Sequence, residues 1–161
     1  MSTAFNPWLE SLVALAATQP PDQYIGGRDN PYLLRWIFAE PQGLPHPRPG
    51  IYVHKILRDD DDRALHDHPW DATLCIVKGS YREIRADCPE GEVFAAGSVR
   101  RIVAETAHRL EVVDGHVWTV CLTGPRRREW GFVCPQGWVH WADFVDPSDP
   151  GTIGPGCGGA L

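Results

Sequence analysis

The sequence predicts an all-β protein, a double-sheet jelly roll or closed barrel with one short helix near its N-terminus. Three observations point there. Fifteen prolines and sixteen glycines in 161 residues break the chain at short intervals, which favours short strands and turns over long helices. Between the breaks lie runs rich in β-branched and aromatic residues, several of them alternating apolar with polar. Only one stretch, near the start, carries a helical stripe. A chain of this length is expected to form a single domain with a sizeable core, here placed at residues 1–146.

Asn6-Pro7 reads as a helix cap followed by proline at the first helical position. Trp8, Leu9, Leu12, Val13 and Leu15 then share one face of a helix expected over about residues 6–18, stopped by Pro20-Pro21. Strands are predicted at Tyr32–Phe38 and Ile51–Leu57, separated by a proline-rich loop. In the second of these, Tyr52, His54 and Ile56 fall on one face. Arg35 is a charge in an otherwise apolar segment. Arg58–Arg63 holds four consecutive aspartates and is read as a solvated turn, since the glycine and the spaced ligands of a calcium loop are missing. Ala72–Val77 and Tyr81–Arg85 are read as a hairpin turning at Lys78-Gly79-Ser80. Arg109–Val113 and His116–Leu122 are read as a second hairpin turning at Asp114-Gly115. The barrel is expected to end near residue 145, and residues 147–161, rich in glycine and proline, are expected to form a mobile tail.

The formal charge of -6 argues against nonspecific nucleic-acid binding, which needs a basic face. No helix-turn-helix pattern is present. No apolar run approaches the roughly 18 residues of a membrane span. Leu12–Ala17 lacks the basic flank of a secretion signal and abuts Glu10. Five cysteines with no C-x-x-C pair, two of them inside apolar runs, are read as reduced thiols in a cytoplasmic protein.

The chemistry concentrates at His66-Asp67-His68-Pro69-Trp70. On an extended segment, two histidines two apart point to the same face, with α-carbons about 7 Å apart. From there two imidazoles can converge on one cation with bonds of about 2.1 Å. A helix would make them diverge. His108 follows forty residues after His68, at the opening of a later strand. Three histidines so placed form a facial set that leaves half of an octahedral ion's positions open.

These motifs resemble those of the cupin superfamily. The first cupin motif runs glycine, H-x-H, a glutamate a few residues on, then glycine. Here it reads His66-Asp67-His68-Pro69-Trp70-Asp71-Ala72 and ends at Ile76-Val77-Lys78-Gly79. The second motif runs glycine, proline-glycine, histidine, and here spans Gly97 to His108 and Leu110. The resemblance covers roughly residues 50–125. The whole chain is also similar to small stand-alone bacterial and phage cupins that share an H-D-H-P-W core and a downstream W-G-F segment, here Trp130-Gly131-Phe132. The resemblance implies a double-stranded β-helix, the cupin jelly roll, with a divalent metal on His66, His68 and His108. Two departures stand out. The glutamate that often serves as fourth ligand aligns with Ala72, and Ala104-Glu105-Thr106 replaces the second motif's proline and glycine. The site is thus similar to three-histidine cupins such as the thiol dioxygenases rather than to the germin-like type. Asp71 is a candidate fourth ligand only if the strand bulges, because regular alternation turns it away from His68.

Three neutral imidazoles leave the cation's charge uncompensated, which favours a small anionic substrate such as a carboxylate, enolate or thiolate. Fe2+ is the expected ion, with Zn2+, Ni2+, Cu2+ and Mn2+ also admissible, and the expected activity is that of a small-molecule oxygenase. Tyr52, His54, Tyr81, Glu83 and Trp130 are candidate pocket liners. Arg126–Arg128 would either grip a carboxylate or lie in an exposed loop. Trp70 and Trp130 are read as barrel packing. Two other classes stay open. One is a non-oxidative isomerase or lyase using the metal as a Lewis acid. The other is a ligand-binding module that forms a homodimer through its helix or a sheet edge.

Overall fold

A computed structural model describes residues 6–43, 45–60 and 64–158. The chain begins with α1 (Pro7–Ala16), whose Asn6 side chain accepts a hydrogen bond from the Trp8 amide at 3.0 Å. The strands follow as β1 (Gln23–Ile25), β2 (Leu33–Ala39), β3 (Gly50–Ile56), β4 (Leu65–His66), β5 (Ala72–Arg85) and β6 (Cys88–Ala95). Then come β7 (Val99–Ile102), β8 (His108–Thr123), β9 (Gly131–Cys134) and β10 (Gly137–His140). A single-turn helix, α2 (Trp141–Phe144), leads into the pair β11 (Val145–Asp146) and β12 (Asp149–Ile153).

Strands β1 to β10 pair into one continuous antiparallel sheet that folds over on itself. Its spine is the pairing of β5 with β8, in register from Ala72↔Thr123 to Arg85↔His108. At one end of the spine, β3 pairs with Val117–Thr123 of β8, and β2 and β1 extend outward from β3. At the other end, β4 pairs with β8 at His66↔His108 and continues through β9 to β10. β7 and β6 cover the far edge of β5 at these two ends. The two long strands therefore cross from one face of the jelly roll to the other.

This spine corrects the two predicted hairpins. β5 and β8 run straight through Lys78-Gly79-Ser80 and Asp114-Gly115, and bend there instead of turning back. Gly79 (φ 76°) and Gly115 (φ 58°) supply the left-handed residues that the bends require, and the register shifts between Ile76 and Tyr81. A Cβ on Gly79 would sit 2.7 Å from the His116 carbonyl oxygen, so the strands approach too closely there for any side chain.

Alternation along the strands sorts the core. Outward residues Trp36, Val53, Trp118 and Val120 pack beneath Leu9 and Ala16 of α1. Inward residues of β3, Tyr52, His54 and Ile56, face a cavity between the sheet faces.

The segment expected to be a mobile tail folds back. β12 pairs with β11, the Gly26 amide donates to the Gly151 carbonyl, and Cys157 is disulfide-bonded to Cys134 at the end of β9. The reading of all five cysteines as reduced thiols fails at this pair; Cys75, Cys88 and Cys121 are free. Proximity in the fold joined two cysteines that sit 23 residues apart with no spacing motif to announce them. In the acidic run, residues 61–63 lie outside the described residues. Asp59 and Asp60 are not simply solvated, since they accept the Val112 and Leu110 amides at 2.7 and 2.9 Å.

Candidate metal centre

His66 occupies the two-residue strand β4, clasped between β8 and β9 opposite His108 and Phe132. His68 lies two residues beyond the strand's end, and backbone hydrogen bonds continue past it. The Asp67 amide donates to the Gly131 carbonyl at 3.0 Å, and the His68 amide to the Ala104 carbonyl at 2.9 Å. Asp67 points to the opposite side and is buried. Its carboxylate accepts from the Gly131 amide (2.7 Å) and the Trp138 indole (3.0 Å) and pairs with Arg128 (2.7 Å). The aspartate between the two histidines is thus the clamp that fixes β9 and β10 against their backbone. Gly131 has no room for a Cβ, which would run into the Val139 carbonyl and the Trp138 ring.

Each of the three histidines offers a ring nitrogen, and these nitrogens lie within 4.8 Å of one another. Nε2 of His68 and Nε2 of His108 are 2.9 Å apart. Two nitrogens bound cis to one ion at about 2.1 Å would be separated by about 3 Å, so the spacing suits a shared cation. The His108 Nδ1 meets Glu83 Oε1 at 2.5 Å. A carboxylate can only accept, which assigns the proton to Nδ1 and turns the Nε2 lone pair toward the cluster. The His66 Nδ1 is buried without a hydrogen-bond partner, 3.9 Å from Asp60 Oδ2. His68 stacks on Trp70 with ring centroids 4.9 Å apart and planes 7° from parallel.

Electrostatics keep the His66 and His68 rings neutral, as ligation requires. Burial, reinforced by His108 and Arg35, brings His66 down to about 3. Burial and the neighbouring histidines hold His68 well below the ordinary imidazole range. Burial alone would raise the Glu83 carboxyl, but hydrogen bonds and charge from His108 and Arg100 outweigh it and hold it well below the usual carboxylate range. Burial pushes the Asp60 carboxyl up to about 6, against the opposing pull of the Leu110 amide.

The cluster lies on the wall of a cavity of about 600 Å³. Tyr52, His54 and Trp130 line it together with the three histidines. Tyr81 and Glu83 do not. Tyr81 is 1% exposed among Ile56, Ile76, Leu110 and Val117. Glu83 is fully buried behind His108, where Arg85 and Arg100 each donate to its Oε2 at 2.7 Å. Both stand on the inward alternation of β5, but at the end where the sheet closes and leaves no space. Asp71 is corrected as a fourth ligand. The regular alternation of the segment turns it outward, where it accepts from the Ala104 amide (2.8 Å) and pairs with Arg127 (2.7 Å). The three arginines are engaged elsewhere: Arg126 with Glu129, Arg127 with Asp71 and Glu105, and Arg128 with Asp67. Trp70, read as packing, lines the cavity and stacks on a candidate ligand, and Trp130 stacks on Trp141. Arg35 and Asp60 also line the cavity and were not among the predicted liners. A charge within an apolar strand was the available signal for Arg35. Asp60 was hidden in a run of like residues.

No protein-family model and no curated protein matches the sequence. Solved structures do. A cupin-2 domain from Rhodospirillum rubrum superposes with a TM-score of 0.54 at 13% identity, over 71% of this chain and 76% of that one. KdgF from a Halomonas species gives 0.48 at 19% identity, over 63% and 86%. The EutQ protein of Clostridium difficile gives 0.47 at 13% identity, over 69% and 83%. At 13% identity the likeness to the cupin-2 domain speaks for the fold alone. The chain therefore folds as a cupin jelly roll.

Proposed function

We propose that this cupin holds one divalent ion on His66, His68 and His108 and oxygenates a small anionic molecule in its cavity. The observation that carries the proposal is the convergence of three imidazole nitrogens within 4.8 Å at the cavity wall, with no carboxylate in that group among the described residues. Glu83 faces the far nitrogen of His108 and Asp71 faces Arg127, so neither is a ligand of an ion held there. The charge of an ion held on the three imidazoles would favour an anionic substrate, and iron(II) there would supply reactivity toward dioxygen. Imidazole donors accept zinc, nickel, copper and manganese as well, so the choice of iron rests on the open three-histidine set.

The chain's own residues have separable tasks. Glu83 fixes the tautomer and orientation of His108. Trp70 holds the plane of His68. Phe132 and Leu74 give the cavity apolar walls that limit water around the reacting groups.

Elemental analysis of protein purified without added metal is the first measurement. Anaerobic reconstitution with iron(II) and an oxygen-uptake screen over small carboxylates and thiols is the second. The expected result is one iron per chain and substrate-dependent uptake that His66→Ala abolishes. Stoichiometric iron with no uptake across the screen would overturn the oxygenase reading. Turnover with zinc or nickel in the absence of oxygen would replace it with an isomerase or lyase.

A further inference from the structure

Arg35 differs from three other partly buried arginines. Arg85, Arg100 and Arg128 each pair with a buried carboxylate. Arg35 lines the cavity, and its acceptors are neutral. Its Nε donates to His54 Nε2 at 3.0 Å, and its Nη1 donates to Gln23 Oε1 at 3.1 Å. These three residues form one row across the sheet, Gln23↔Arg35 between β1 and β2 and Arg35↔His54 between β2 and β3. The Tyr52 ring lies 5.7 Å from the guanidinium carbon, and the Tyr52 hydroxyl donates to Glu40 at 3.0 Å. Among the described residues no carboxylate pairs with Arg35.

A guanidinium has five N–H donors and stays charged at any pH a protein meets. Two of the five are used here, and both aim the group without neutralising it. His54 can accept from Arg35 only while its Nε2 is unprotonated, so the arrangement excludes a second cation from the row. The result is a fixed cation with free donors on a partly apolar wall, where an unpaired charge is costly and an incoming anion is strongly favoured. Leu33 and Tyr52 flank it on the same wall, so the anion it suits is carried on an apolar body.

We propose that Arg35 is an anchor for a carboxylate of the cavity's ligand, on a wall separate from the three histidines. This rests on the cavity being the substrate site, but not on which metal the histidines hold. The ligand is then a molecule with two polar ends. One end is a carboxylate on Arg35, and the other is a donor group directed at the histidine cluster. An apolar segment spans the cavity between them.

The test uses the full-length protein stripped of metal, with 3-phenylpropionate and its neutral amide as probes and calorimetry as readout. The acid should bind wild type, and the amide should bind roughly 10- to 100-fold more weakly, as for loss of a charge-assisted hydrogen bond. Arg35→Gln should weaken the acid by a similar factor and leave the amide unchanged. His66→Ala, which removes a ring from the cavity wall, should still prefer the acid over the amide. Equal binding of acid and amide, undiminished binding to Arg35→Gln, or no binding of the acid to any form would overturn the proposal. If Arg35→Gln does not fold, Arg35→Lys, which keeps the charge and loses the fork, takes its place, and the acid–amide comparison on wild type still decides. Iron stoichiometry is measured on the same samples. Loss of metal in His66→Ala with retained acid binding supports both readings, whereas wild type that takes no metal sinks the metal reading and leaves Arg35 to be judged on the probes.

Discussion

Glu83 shows how a single residue can govern a cavity it does not line. It is fully buried on β5, and its carboxylate is shared between the Nδ1 of His108 and the guanidinium groups of Arg85 and Arg100. Replacing it with glutamine keeps the shape but removes the charge that orients the imidazole. Partners of this kind typically contribute 10- to 100-fold in metal affinity. Glu83→Gln is therefore expected to weaken metal binding by roughly that factor in a competition titration against a chelating dye. An unchanged affinity in a folded variant would show that Glu83 serves the core alone. His54 gives a pH prediction away from the metal ligands. Burial, with Arg35 beside it, holds its pKa well below the ordinary value of 6.5. In the unfolded chain it titrates near 6.5. Between the two values the unfolded chain binds a proton that the folded chain does not, so stability falls as pH drops below about 6.5 and is flat above it. Urea midpoints from pH 8 to pH 4.5 should trace that decline, and His54→Gln should make it shallower. A parallel curve for the variant would place the acid sensitivity elsewhere.

At the scale of elements, the C-terminal segment makes the clearest prediction. The Cys134–Cys157 disulfide ties the end of β9 to the stretch beyond β12, closing a loop 23 residues apart in sequence. Loops of that size contribute about 2–4 kcal/mol when bridged. For a chain of this length that corresponds to about 4–16 °C in Tm. Scanning calorimetry with and without reductant, alongside Cys157→Ser, should show a loss in that range, and an unchanged Tm would mean that the bridge stabilises nothing. The same segment marks a limit of what sequence patterning reveals. Glycine and proline report where the backbone must bend or lacks a donor, not whether a partner strand waits there. Residues 149–153 read as unstructured because their pairing partner, β11, is itself only two residues long. The two false hairpins have the same origin. Asp114-Gly115 supplies a left-handed residue, which serves a tight turn and a bend equally well, and the long pairing of β5 with β8 selects the bend. The helix at Pro7–Ala16 was legible because its cap, its proline and its stripe are all local. His66, His68 and His108 were legible through spacing and resemblance. Glu83 and Arg35 were not assigned their places, because a carboxylate behind a ligand and a cation across a cavity depend on register between strands far apart in sequence.

At the scale of the molecule, the histidine cluster is a junction. His66 and His68 belong to the short segment held between β8 and β9, while His108 opens β8 itself. An ion on all three would staple the β4 segment to the spine of the jelly roll. The unfolded chain offers no such convergence, since the third histidine lies forty residues from the second. Binding therefore favours the folded state by mass action, and a free ion concentration a thousandfold above Kd adds about 4 kcal/mol. For a chain of this size the Tm should rise by about 8–16 °C on saturation with iron(II) under anaerobic conditions, or with zinc. A chelator should reverse the shift, and His108→Ala should abolish it without lowering the metal-free Tm by the same amount. The comparison separates a site from a weak surface interaction. Exposed carboxylates elsewhere could bind a cation, but they would give an equal shift in the variant. An equal shift in wild type and His108→Ala would therefore dissolve the junction, and the cavity would have to be read without its metal.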